Sequence, residues 1–205
     1  MMAKERKLFF GTPMTWRRVI LFAVAAAVVT AGMMVIPALN DTSIQNIGVT
    51  LECWILFALI IIMNCAKPLE AGLKTFVFFL ISQPLIYLLQ VPFSFVGWQI
   101  FNYYPRWFVL TVLCLPGGML AWYVKKGTML SALILSVATG ILSAECIFFA
   151  EMCVRGFPRF LLSTLFCAVL AVLLIVVLLP KRRQRIVAGA ITLLAALAAL
   201  VYIIL

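Results

Sequence analysis

LKTFVFFLISQPLIYLLQ, residues 73–90, and WFVLTVLCLPGGMLAWY, residues 107–123, are two apolar runs of near-spanning length, and each carries a helix breaker near its middle. Ser82-Gln83-Pro84 interrupts the first and Pro116-Gly117-Gly118 the second. In hydrocarbon an unpaired backbone group costs several kcal/mol, so Pro84, Pro116, Gly117 and Gly118 are tolerated only where protein, hydroxyls or water satisfy the freed groups. The two interruptions fall at one depth, and irregular backbone at that depth marks where a site is expected.

Working outward, the composition fixes the class. Apolar residues make up 66% of the chain and charged residues 11%, where a soluble domain is roughly half apolar. The expectation is an all-α polytopic membrane protein, a single domain over residues 1–205 formed by one bundle of about seven helices. Spans are expected at residues 19–37, 49–65, 75–89, 107–123, 129–150, 160–179 and 186–205. The first is too long for a signal-peptide core and is read as a helix that stays in the membrane. A cytoplasmic N-terminus keeps all of the sixteen lysines and arginines on the cytoplasmic side except Arg106, Arg155 and Arg159. Lys4, Arg6 and Lys7 contribute to that bias. Seven crossings place the C-terminus outside. If residues 186–205 are instead re-entrant or interfacial, six crossings remain, with both ends inside. Either way the expected location is the cell membrane.

The net charge of +10 is spread over separate cytoplasmic positions, Lys181 to Arg185 being the densest. Anionic lipid headgroups account for it, and no nucleic-acid partner is expected. No histidine is present and no CxxC pair occurs among the six cysteines. His-based triads, zinc-protease helices and His-dependent acyl transfer are therefore excluded, and no phosphate-gripping glycine loop is found. No catalytic motif is recognisable and no cofactor is expected.

Glu52-Cys53 and Glu145-Cys146 sit at comparable depth below the outer face, with Glu151 and Cys153 beyond the second pair. Carboxylates inside spans mark internal ion pairs, substrate contacts or ion paths. Pairing with Arg106, Arg155 or Arg159 is one reading, and solute or proton binding another. A mixed thiolate and carboxylate zinc site is chemically feasible, but the usual histidines are absent, so no metal is expected. Cys65, Cys114 and Cys167 read as small apolar packing residues.

Gln83, Tyr87 and Gln90 recur at i, i+4 and i+7 and share one helix face, so this polar stripe is expected to face other helices or a wet cavity. The connection over residues 92–105 is dense in aromatics. It reads as an interfacial belt or, functionally, as a lid built from Phe95, Trp98, Phe101, Tyr103 and Tyr104. Small residues recur every four positions at Ala23, Ala27 and Ala31, at Ala132, Ser136, Gly140 and Ala144, and at Ala188, Thr192 and Ala196, as close helix packing requires. The last of these ribbons is the one best placed to receive a partner subunit or a second copy.

Together these features lead to the expectation of a small permease or solute-binding membrane subunit. Glu52, Gln83, Tyr87, Gln90 and Glu145 line an outward-facing cavity in this reading. The alternative is a non-catalytic assembly subunit of a larger membrane complex.

Overall fold

A computed structural model describes Phe9, residues 11–155 and residues 158–204. Among the described residues there is no strand. The helices are α1 (Trp16–Val35), α2 (Ser43–Val49), α3 (Leu51–Met63), α4 (Pro68–Gln90), α5 (Tyr104–Ala121), α6 (Met129–Val154), α7 (Leu161–Leu178) and α8 (Arg182–Ile204), with short 3-10 turns between several of them. Among the described residues six stretches are long and apolar enough to cross a membrane, containing α1, α4, α5, α6, α7 and α8. A seventh is counted if α2 and α3, bent by 47° at Thr50, form one span. The chain is thus a helical membrane protein. Lys4, Arg6 and Lys7, which contribute to the expected orientation, and Leu205 lie outside the described residues.

The second span is where the structure departs most from expectation. In place of one helix over residues 49–65, α3 has only 13 residues, about 20 Å at 1.5 Å per residue against a hydrocarbon layer of about 30 Å. Thr50 ends α2 with extended backbone, its hydroxyl donating to the Asn46 carbonyl at 2.6 Å. The break therefore lies two residues before Glu52.

The expected interruptions at Pro84 and at Pro116-Gly117-Gly118 are corrected: both prolines stand inside continuous helices, α4 and α5. One missing donor in a long helix costs one hydrogen bond and does not end the helix when its flanks are held by packing.

Two compact units share the described residues, one formed by residues 7–40 and 57–122 and the other by residues 41–56 and 123–205. Within the first, α4 packs against both α1 and α5. The alanine face of α1, Ala23, Ala27 and Ala31, is buried. Rings of Phe22, Phe57 and Phe78 meet at centroid distances of 5.0–6.2 Å. Gly118 explains its place in the sequence here: a Cβ on it would lie 3.1 Å from the Gly72 Cα. The glycine is a point of backbone approach between α4 and α5. At the start of α4, Lys74 is buried and ion-paired to Glu70, donates to the Met14 carbonyl and lies 5.5 Å from the Trp16 ring centroid. Lys74 is thus a tie between the residues preceding α1 and the first turns of α4.

In the second unit α6 is central, packing on α7 and α8. Its small-residue ribbon receives α8: a Cβ on Gly140 would lie 3.4 Å from the Ala195 Cβ, and the Thr139 and Thr192 hydroxyls share a 2.7 Å hydrogen bond. Ser143 Oγ donates to the Thr192 carbonyl at 3.1 Å. The ribbon on the last helix is thus occupied within the chain. Thr192→Val keeps the shape and deletes the hydroxyl, and is expected to lower stability by about 0.6–2 kcal/mol, read as a reduced unfolding midpoint in detergent.

Candidate functional site

The site is built in the second unit where α2, α3, α6 and α7 converge. Ser43 at the first turn of α2 donates to the Arg159 carbonyl, and Ser163 N and Oγ donate to Ser43 Oγ and to the Ser43 carbonyl at 3.3 and 3.4 Å. Both serines are buried. They fix α2 to the N-terminal end of α7, and α2 in turn delivers the bend at Thr50 and the first turn of α3.

An open cleft of about 490 Å³ lies there. Asn46 and Thr50 contribute from α2, Glu145, Phe148 and Phe149 from α6, and Phe160 from the turn before α7. Its wall is mainly apolar, and among the described residues lining it Glu145 alone is ionisable. Behind Glu145, ligand atoms of Glu52, Glu145 and Cys167 all lie within 4.8 Å of one another. Glu52 is 0% exposed, and neither of its carboxylate oxygens has a hydrogen-bond partner. Glu145 Oε2 is likewise buried without one. Cys167 is fully buried between α6 and α7, packed with Phe149, Phe160 and Cys146.

Of the arginines expected to neutralise these glutamates, Arg155 and Arg159 are engaged elsewhere. Arg155 pairs with Glu151 one helical turn away, and Arg159 lies 3.9 Å from Asp41. An i, i+4 partner on the same helix needs no tertiary alignment, which favours Glu151 for Arg155. Three buried carboxylate oxygens are therefore left without a hydrogen-bond partner in an apolar setting, where isolated charge is costly.

The remaining predicted residues fall in the first unit. Gln83 and Gln90 are buried, and Gln90 Nε2 lies 3.4 Å from Met34 Sδ. Thr75 and Ser82 hydroxyls on the same helix are buried without partners. Tyr87 belongs to an aromatic cluster, 5.8 Å from Phe101 and 6.2 Å from Tyr104 by ring centroid. Trp98 stacks on Phe101, while Phe95 and Tyr103 are exposed. None of these residues lines the cleft around Glu145. The proposed cavity residues thus divide, Glu52 and Glu145 in one unit and Gln83, Tyr87 and Gln90 in the other.

Cys167 is the member of the cluster that sequence reasoning missed. Nothing in its flanks, Leu165-Phe166-Cys167-Ala168, separates it from a packing residue. The thiols beside the glutamates in sequence do not take its place: Cys146 Sγ is directed at the Thr164 carbonyl at 3.5 Å.

Fold and site together define a class, a multi-pass helical membrane protein with a buried acidic cluster behind an open cleft. Comparison of the chain with protein-family models, with curated proteins and with solved structures gives no match.

Proposed function

We propose that the chain is a small multi-pass membrane permease or solute-binding membrane subunit, and that its solute is a cation received through the cleft at Glu145. The single observation that carries this reading is the set of three buried carboxylate oxygens, two on Glu52 and one on Glu145, that lack protein partners. A cation supplies what the fold leaves out, and the cleft beside Glu145 gives it a way in. The alternative role as an assembly subunit drew on the small-residue face of α8, and that face packs on α6 through Thr192 and Ala195.

The test is flux in proteoliposomes containing the purified protein and internal reporters for protons and for divalent metal ions. Wild-type protein is expected to admit at least one of these cations faster than protein-free vesicles. Glu52→Gln and Glu145→Gln, each recovered folded, are expected to return the rate to the protein-free level. Equal rates for wild type and both variants would refute the assignment.

A further inference from the structure

The geometry points to a divalent transition-metal site formed by Glu52, Glu145 and Cys167, with zinc(II) or an ion of similar softness as its ligand. This deepens the cation-permease reading and rests on it for the site's location. The support is geometric. A point equidistant from three atoms at the 4.8 Å limit of mutual separation is about 2.8 Å from each, about 0.5–0.8 Å beyond zinc bond lengths of about 2.0–2.3 Å to sulfur and oxygen. Small side-chain rotations close that difference.

The donor set selects the ion. Calcium and magnesium take all-oxygen shells, and a sulfur donor disfavours both. Two carboxylates and one sulfur suit a borderline divalent ion. Three protein ligands leave a fourth position for water or an exchanging ligand, as in sites that release or use their metal rather than bury it. Glu145 borders the cleft and provides the side from which that position is reached.

Binding is proton-linked. Cys167 Sγ gives its proton to solvent as the metal–sulfur bond forms, and a carboxylate that coordinates gives up any proton it carries. Bound to the thiolate and both carboxylates, the divalent ion brings three neighbouring negative charges down to a net charge of about −1, which an apolar surrounding tolerates far better. Affinity is therefore expected to rise with pH.

Cobalt(II) is the probe, because thiolate-to-cobalt charge transfer reports the sulfur ligand directly, and a chain without histidine offers no imidazole to compete. Full-length protein in detergent, stripped with a chelator, is titrated with cobalt(II) and then challenged with zinc(II). The expected result is one cobalt per chain with a near-ultraviolet charge-transfer band that zinc abolishes. In Cys167→Ser the band should vanish while cobalt still binds, at least about tenfold more weakly, a loss no smaller than that seen when outer-shell partners of a metal are removed. Cys167→Ala serves if the serine variant is not recovered, and Glu52→Gln should weaken binding with the band retained. No band in wild-type protein, or a band undiminished in both Cys167 variants, overturns the metal site. Proton flux that needs Glu52 and Glu145 but is unchanged in Cys167→Ser also overturns it while leaving the permease reading in place. A band lost on Cys167→Ser in a protein without flux sustains the site and rejects the permease.

Discussion

Gly72→Val is expected to prevent recovery of folded protein, and Gly72→Ala to cost about 3 kcal/mol or more, the upper end of what overpacking does in tight interiors. A Cβ at Gly72 would stand 2.5 Å from the Leu115 carbonyl oxygen and 2.6 Å from Met119 Cγ. Met119 can turn away, but the Leu115 carbonyl belongs to the backbone of α5 and moves only with the helix. Apolar side chains gain nothing from leaving lipid, so helices here are held by close contact and hydrogen bonds, and separating α4 from α5 loses both. Gly117→Ala is the matched control: no atom lies within 4 Å of its added Cβ, and a mid-helix glycine gives up roughly 0.5–1 kcal/mol relative to alanine. That variant should unfold at or above the wild-type midpoint. Thermal unfolding in detergent checks both, and a Gly72→Ala midpoint equal to wild type would mean that the contact with α5 is looser than described.

The double variant Glu52→Gln with Glu145→Gln is expected to be more stable than wild type in the presence of a chelator, by about 1–3 kcal/mol, the scale of an unsatisfied buried polar group, while losing cation binding entirely. Two close buried carboxylates oppose folding when only Glu145 has a backbone donor, at Leu51, and Glu52 has none, and neutral amides of the same size can bond to one another. A gain in stability paired with loss of function is the usual mark of groups retained for their chemistry. The measurement is the unfolding midpoint with chelator and again with saturating zinc(II). Wild type should rise with zinc and the double variant should not. A lower midpoint for the variant in chelator would show that Glu52 and Glu145 serve the fold.

Much of this was legible in the residues. Apolar runs of spanning length located α1 and α4 to α8 to within a few residues at most ends, because in lipid only a helix satisfies its own backbone. The alanine and glycine ribbons were visible because close packing leaves a four-residue period. Glu52 and Glu145 stood out because charge in an apolar run is rare. What failed was local reading of tertiary facts. Pro84 and Pro116 carry the same propensity in a broken helix as in a continuous one, and their surroundings decide. Val49-Thr50-Leu51 contains no strong breaker, so the bend between α2 and α3 had no signal. Gly118 was read as a weak point when its meaning lay across the contact in Gly72. Cys167 joined the glutamates through chain topology alone.

The shortness of α3 carries an electrical consequence. If the Met63 end of that rod lies at one face of the bilayer, its first turn is about 20 Å into an insulating layer of about 30 Å. An ion resting on Glu52 then has roughly a third of the dielectric left on the other side, and only that share of the work of the resting voltage, about 2.3 kcal/mol per charge per 100 mV for the full crossing, remains to be done on it.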